Sequence, residues 1–294
     1  MKIENRLELT IAGIFLIGWL ILLIFTIVFE LKNARVNNVR LAKVMMSTAS
    51  ATRDYTSEQI APLLSGMTGE DFIKEKVPAH GGQQVFNNLG QYVDEEGFVY
   101  VERAMNPTNP KDMAEEWQVE LIRHFSKNPD LKEVIDTRNN RSGINVLYIA
   151  EPIRITSASC LECHGDPELA PPDLIKTYGR ERGFGWQLGE TVGTRIVTVP
   201  TSVCIERAYA LIVSYAILSG SIFLLVYVAI SIMIRKWLTQ PLEVIIENID
   251  EASVSQSAVD AKLPKVDCVS LEKLNKAIKR LLFSLNKSRL PKKS

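Results

Sequence analysis

Two of the four cysteines and one of the three histidines of this chain lie within five consecutive residues. The stretch reads Cys160-Leu161-Glu162-Cys163-His164. Three kinds of chemistry use these residue types at this spacing: covalent attachment of haem, a zinc knuckle and a redox-active cysteine pair. The rest of the sequence has to discriminate among them.

Zinc and redox chemistry each leave part of the pattern unexplained. A zinc site needs four ligands, but Cys204 and Cys268 lie at or beyond the second long apolar segment, and His80 and His124 lie in separate predicted segments of the chain. A redox pair is open to any CxxC outside the cytoplasm, yet no thioredoxin-like βαβ pattern surrounds this one, and His164 would have no role. Both alternatives remain open at this point.

A c-type haem accounts for all three residues of the motif. Each cysteine sulfur bonds to one vinyl group of the haem, and the histidine that follows lies under the iron and donates its imidazole. The motif therefore predicts haem c bound covalently at Cys160 and Cys163, with His164 as the proximal iron ligand.

Two apolar segments, residues 9–29 and 208–234, contain no charged residue. Because about 20 helical residues cross the roughly 30 Å hydrocarbon core of a bilayer, each segment predicts a transmembrane helix. The apolar region of a cleaved signal peptide is only about 7–15 residues long. We therefore expect the first segment to remain as an anchor.

Basic residues beside these segments predict the orientation of the chain. Lys2 and Arg6 precede the first segment, and Arg235 and Lys236 follow the second. Because short cytoplasmic flanks are rich in Lys and Arg, we expect both termini in the cytoplasm. The sequence thus predicts a two-pass protein of the inner (cytoplasmic) or thylakoid membrane, with its central domain in the periplasm or lumen.

Between the two segments, runs of β-branched and aromatic residues predict several strands. These runs are residues 97–105, 131–137, 143–155 and 194–200. Helical patterns cover residues 30–64, 85–93 and 111–125. This order indicates an α+β domain, with antiparallel strands and flanking helices.

After the second segment, the pattern changes to two short amphipathic helices. Their apolar residues recur in a 3-4 alternation at Leu242, Ile245, Ile249, Ala252, Leu271, Leu274, Ile278, Leu281 and Leu285. Such a stripe predicts packing against partner helices, although a single amphipathic helical hairpin is an alternative. The predicted order is an N-terminus, a first span, a central domain, a second span, paired helices and a basic tail: residues 1–8, 9–29, 30–207, 208–234, 235–286 and 287–294.

Two parts of this order resemble known families. Residues 235–286, with Pro241 soon after a span and then two heptad helices, resemble the HAMP signal-relay module, which implies a homodimer. Residues 35–203 resemble the haem-c-binding, PAS-like sensor domain of cyanobacteria and proteobacteria. That resemblance rests on "RDYTSEQIAPLL", "NPTNPKDMAEEW", "LYIAEPIRI", "CLECHGDPELAPPDLI" and "GFGWQLGETVGTRIVTVP".

The resemblance implies a PAS-like antiparallel sheet that holds haem on one face. Some family members supply a sixth iron ligand from a cysteine in the N-terminal half, but no cysteine precedes Cys160 here. His80 is the first candidate because neutral imidazole suits iron, and Met46 and Met45 follow. Alternatively, the sixth position is open to a diatomic gas.

Three further residues are candidate haem contacts. Arg154 is predicted to pair with a propionate, because guanidinium matches carboxylate geometry, or to lie on the surface. Phe184 and Trp186 are predicted to pack on the porphyrin or in the core.

These features predict a membrane-anchored receptor that senses redox state or a diatomic gas and relays it to a separate cytoplasmic signalling protein. The formal charge is zero, which gives no long-range attraction for nucleic acid. We find no catalytic triad, phosphate loop or acid–base pair, so we do not expect an enzyme. A membrane-tethered electron carrier is the main alternative. A third hypothesis is a structural assembly protein in which haem only stabilises the fold.

Overall fold

A computed structural model describes residues 3–65, 67, 72–92, 98–254 and 269–289. The chain divides into two compact units, of which one is Phe29–Leu211 and the other joins Met1–Val28 with Ile212–Ser294. The connector predicted between the two C-terminal helices, Cys268 and the last five residues of the basic tail lie outside the described residues.

A four-stranded sheet forms the centre of the Phe29–Leu211 unit. Its strands are β1 (Val99–Ala104), β2 (Val134–Asn139), β3 (Asn145–Arg154) and β4 (Thr191–Pro200). They are antiparallel in the order β1-β4-β3-β2. This confirms the prediction of antiparallel strands with flanking helices.

The helices of the described ranges are α1 (Ile3–Tyr55), α2 (Ala61–Ser65), α3 (Pro78–Leu89), α4 (Glu116–Lys127), α5 (Leu161–His164), α6 (Pro172–Tyr178), α7 (Thr201–Ile234), α8 (Gln240–Val254) and α9 (Val269–Arg289). A wider, π-helical turn at Thr56–Ile60 joins α1 to α2, and a second at Arg235–Thr239 joins α7 to α8. A 3₁₀ turn, Lys74–Lys76, precedes α3.

Each face of the sheet buries its own apolar cluster. The first cluster combines residues of α1, α3 and the strands, namely Ala42, Met45, Met46, Ala49, Phe86, Tyr100, Leu147, Ile149, Val197 and Val199. The second lies on the opposite face, where α4 packs, and contains Phe125, Tyr148, Ala150 and Ile196. Because successive strand residues point to opposite faces, Ile149 and Tyr148 belong to different clusters.

A row of charged residues crosses the face that α1 covers. Glu102, Arg195 and Glu151 are neighbours in register on β1, β4 and β3. Arg195 donates to Glu151 Oε2 at 2.5 Å and to Ser50 Oγ of α1 at 3.1 Å, while Arg53 of α1 pairs with Glu102. Because buried charges are tolerated only when paired, this row fixes α1 against the sheet.

Two helical stretches, Asn5–Leu64 and Thr201–Glu247, are long and apolar enough to cross a membrane. Their most apolar 18-residue windows have mean hydropathies of 2.9 and 2.5, and no residue of either window is buried. The core helix of a water-soluble protein would instead be mostly buried. These properties favour two membrane spans, while the orientation of the chain stays a prediction.

The two apolar helices contact each other through a polar pair. Trp19 Nε1 donates to Ser219 Oγ at 3.2 Å. Gly220 lies beside the indole, since a Cβ at residue 220 would be in ordinary contact with Trp19 Nε1, at 3.4 Å. Phe15 meets Phe223 edge to face, with the ring centroids 6.0 Å apart. In a bilayer no water would satisfy the indole N–H, so this bond sets the register of the two helices.

The C-terminal helices α8 and α9 carry the predicted apolar stripe. Ile245 is 2% exposed, whereas Leu274 and Leu281 are 41% and 63% exposed. The side chains of other stripe residues lie outside what the structure describes, namely Ala252, Leu271 and Leu285. The HAMP-like arrangement and the homodimer stay predictions.

Candidate functional site

The cysteine motif lies in a short helical segment soon after β3. Ser157 caps its start, because its Oγ accepts a hydrogen bond from Ser159 N at 3.2 Å. The segment ends at Gly165, whose N–H donates to Leu161 O at 2.9 Å. A Cβ at residue 165 would lie 2.6 Å from that oxygen, so glycine is required there. One helical turn therefore carries both cysteines and the histidine.

Both motif cysteines are free and half-buried. Burial raises the pKa of Cys163, and the nearby Lys76 ammonium opposes this shift only in part. The Cys163 thiol is therefore protonated at neutral pH. A raised thiol pKa makes Cys163 a poor attacking nucleophile for thiol–disulfide exchange.

The zinc alternative receives no support from the described ranges, where no group of three or more His, Cys, Asp or Glu side chains could hold a metal ion. His124 is exposed on α4, and His80 is half-buried in the first turn of α3. Neither histidine joins the two cysteines in such a group.

The imidazole of His164 is held by a main-chain carbonyl. Its Nδ1 lies 2.8 Å from Gly183 O and 3.4 Å from Thr108 Oγ1. A carbonyl oxygen only accepts, so Nδ1 carries the proton and Nε2 of the neutral ring carries the lone pair. Burial lowers the pKa of His164, although the bond to Gly183 opposes this shift. His164 is therefore a neutral imidazole whose lone pair is on Nε2, the form in which imidazole binds a metal ion.

A glycine-rich loop positions the Gly183 carbonyl. Gly183 has a φ of +81°, and a Cβ there would lie 2.1 Å from Thr108 Oγ1. Its N–H donates to Asn106 Oδ1 at 3.2 Å. Thr108 and Asn106 follow β1, so the loop is fixed against a different strand from the one that leads into the motif.

Trp186 of the same loop covers one face of the His164 ring. The two rings stack with centroids 4.0 Å apart and planes inclined by 15°. Main-chain bonds reinforce this contact: Trp186 N donates to His164 O at 3.1 Å, and Gly185 N donates to Gly165 O at 2.9 Å. The stack restricts rotation of the imidazole. Phe184, the residue before Gly185, is half-buried.

Lys76 connects the motif with the segment before α3. Its Nζ pairs with Asp173 Oδ2 of α6 at 3.0 Å and lies 4.7 Å from the Phe72 ring centroid. The Phe72 ring meets Tyr178 of α6 edge to face at 5.9 Å. Because the Lys76 charge also acts on Cys163, these contacts bring the start of α3 and α6 to the border of the motif.

Two of the remaining candidate ligands are methionines in the core, and Arg154 binds a main-chain carbonyl. Met45 and Met46 are 6% and 3% exposed within the apolar cluster under α1. Arg154 donates to Leu131 O at 3.0 Å, at the connection between α4 and β2. His80, Met46 and Met45 as sixth ligands, and Arg154 as a propionate partner, stay predictions.

A family model described as Tll0287-like, Tll0287, matches residues 32–200, which is more than half of the chain. The chain belongs to the Tll0287-like family. The matched residues include all four strands, the cysteine motif and the loop that contains Gly183.

One solved structure, described as the cyanobacterial heme-protein Tll0287, is similar to this chain. Its sequence is 20% identical, and the match covers 55% of this chain and 94% of that protein, with a TM-score of 0.42. No curated protein matches the chain.

Several residues of the candidate site were not identified from the sequence. They are Gly183 and Thr108, which contact His164, Asn106, which accepts from Gly183 N, and Lys76, whose charge acts on Cys163. One pattern points toward them: in "GFGW", two glycines one residue apart indicate an irregular backbone with positive φ. That pattern does not identify His164 as the residue that the loop contacts.

Proposed function

We propose that this chain is a membrane-anchored c-type haem receptor. Cys160 and Cys163 would form thioethers with the porphyrin, and His164 would ligate the iron from a PAS-like domain. The support is the family assignment together with the site geometry. The Tll0287-like family shares its name with a solved cyanobacterial haem protein, and the matched region contains the motif.

The observation that carries this proposal is the hydrogen bond from His164 Nδ1 to Gly183 O at 2.8 Å. Histidines that bind metals usually donate the second ring N–H to a carbonyl or carboxylate, which fixes the tautomer and raises ligand basicity. Two half-buried thiols lie on the same helical turn. The donor set of the site therefore fits a haem attached through a CxxCH motif.

Bound haem supplies reversible one-electron chemistry and, where its sixth position is open, binding of a diatomic gas. The residues of the chain tune that chemistry. Gly183 keeps the proton on Nδ1 of His164, and Trp186 limits the orientations of the ring. His80, Met46 and Met45 are the candidates for the sixth position, and Arg154, Phe184 and Trp186 are candidate contacts of the porphyrin.

The proposed signal leaves the domain through the sheet. β4 ends at Pro200, and α7 begins at Thr201. A displacement of β4 therefore acts on the second apolar helix through a continuous main chain. We further propose that α8 and α9 form HAMP-like packing in a homodimer and that a separate cytoplasmic protein reads it. A stimulus drives such a relay only if it changes the relative free energy of two states.

Covalent haem is tested on a denaturing gel stained for haem peroxidase activity. Protein from a host that matures c-type cytochromes is expected to keep its stain, because thioethers survive denaturation. The double variant Cys160→Ala/Cys163→Ala should lose the stain completely. The matched control is Cys204→Ala, which removes a cysteine of α7 outside the motif and should stain like the parent. An unstained parent band would contradict the proposal.

The relay is tested with a spin label on Ile246, whose side chain is 63% exposed on α8. In an Ile246→Cys variant that lacks Cys204 and Cys268, we expect the label-to-label distance in the dimer to differ between oxidised and reduced haem. The same label in the haem-free Cys160→Ala/Cys163→Ala background should give one distance under both conditions. An unchanged distance in the haem-loaded protein would contradict redox sensing and favour the electron carrier.

A further inference from the structure

A second candidate site lies on the sheet face opposite α1. A cavity of about 410 Å³ opens between α4 and strands β2 and β3, which is within the range of roughly 300–1,000 Å³ for small-molecule sites. The proposed haem attachment uses none of its lining residues. The lining combines apolar side chains with polar ones: Trp117, Leu121 and Tyr148 with Glu120, His124 and Arg138.

Arg138 is held in this cavity by stacking rather than by an ion pair. Its guanidinium carbon lies 3.8 Å from the Trp117 ring centroid. Trp117 is fixed in turn, because its Nε1 donates to Glu115 Oε2 at 3.0 Å and its ring meets Tyr148 edge to face at 5.5 Å. Among the described residues, the guanidinium has no hydrogen-bond acceptor. A pre-positioned guanidinium with unused donors is suited to bind a carboxylate.

Glu120 supplies the opposite charge in the same cavity. Within the described part of the chain, its carboxylate has no ion-pair partner, so Glu120 and Arg138 line one cavity without neutralising each other. Asp136 adds a second negative charge, since it is the register partner of Tyr148 and acts on that hydroxyl. Two carboxylates against one guanidinium disfavour a simple anion as the occupant.

We infer that this cavity binds a free α-amino acid with an apolar or aromatic side chain. The carboxylate of the ligand pairs with Arg138, and its ammonium group pairs with Glu120. The side chain packs against Trp117, Leu121 and Tyr148, which form an apolar surface. A zwitterion pairs with both Glu120 and Arg138, whereas a plain carboxylate or a plain amine leaves one of these two residues unpaired. This inference does not depend on haem.

The test uses the full-length protein in detergent with the twenty standard L-amino acids, each at about 10 mM. At ten times a Kd of about 1 mM, the binding ligand raises the Tm by roughly 3 °C. We expect apolar or aromatic amino acids to give this shift, and calorimetry to give their Kd values. The amide and the N-acetyl derivative of the best ligand each lack one charge, and each should bind at least tenfold more weakly.

Substitutions of two lining residues test whether the amino acid binds in this cavity. Arg138→Gln and Glu120→Gln should each weaken binding of the best ligand at least tenfold. The control Arg123→Gln removes an exposed cation of α4 that does not line the cavity, and its Kd should match that of the parent. Far-UV circular dichroism without ligand establishes that each variant is folded. Absence of a shift with all twenty amino acids, or equal binding of the N-acetyl derivative, would overturn the inference.

Discussion

Replacing Glu102 with glutamine is expected to lower the free energy of unfolding by about 3 kcal/mol or more. Glu102 is 5% exposed, pairs with Arg53 of α1 and accepts a hydrogen bond from Tyr100 Oη at 2.7 Å. Burial, reinforced by the Glu102 charge, raises the pKa of Tyr100, so its hydroxyl stays protonated and remains a donor. The substitution leaves the half-buried Arg53 cation without its counter-charge.

Urea unfolding of the detergent-solubilised protein measures this loss. The control is Arg141→Gln, because the Arg141 side chain is 87% exposed in its pair with Glu115 and exposed pairs contribute only about 0–1 kcal/mol. The double variant Arg53→Met/Glu102→Leu removes both charges and should recover most of the stability. A loss below about 1 kcal/mol for Glu102→Gln would show that α1 is not fixed by this row.

The sheet was predictable because its strands carry local information. Residues 97–105 and 194–200 were predicted as strands, and the structure places β1 at Val99–Ala104 and β4 at Thr191–Pro200. β-branched and aromatic residues favour this state in any context that buries one face. The order of the strands in the sheet depends on non-local contacts, and the sequence pattern does not contain it.

Helix α3 shows where local propensity fails. The pattern predicted a helix at 85–93, whereas α3 is Pro78–Leu89. Gly81 and Gly82 disfavour helix by about 1 kcal/mol each relative to alanine. The packing requires Gly81, because a Cβ there would lie 2.5 Å from Thr56 Oγ1, and it favours Gly82, where a Cβ would lie 3.3 Å from the Tyr100 ring. Tertiary packing therefore overrides propensity at the start of this helix.

Part of the candidate site was likewise predictable from the sequence, and part of it depends on the fold. Cys160, Cys163 and His164 are close in sequence, so their spacing alone predicts their juxtaposition. The groups that orient His164 come from two distant segments, the turn after β1 and the loop before β4, and only the folded sheet brings them together. Sequence analysis predicted a packing role for Trp186, and the structure identifies the His164 ring as its partner.

Replacing Gly183 with alanine is expected to destabilise the protein and to raise the midpoint potential of the proposed haem. At a φ of +81° alanine is strained by about 1–2 kcal/mol, and its Cβ would lie 2.8 Å from the Thr108 backbone nitrogen. The loop has to move, which takes the carbonyl away from His164 Nδ1. A weaker hydrogen bond makes the imidazole a poorer donor to ferric iron. A tenfold loss of ferric stabilisation corresponds to about 59 mV for a one-electron couple.

The control variant Gly185→Ala distinguishes the effect of backbone strain from the effect of moving the Gly183 carbonyl. Gly185 has a φ of +77°, but a Cβ there would meet nothing within 4 Å. Both variants therefore carry similar backbone strain and should lower the Tm, while only Gly183→Ala displaces the acceptor of His164. Spectroelectrochemical titration of the two haem-loaded proteins is expected to give a raised potential for Gly183→Ala and the parental value for Gly185→Ala. Equal potentials in the two variants would mean that the Gly183 carbonyl does not tune the ligand, because strain alone is common to both.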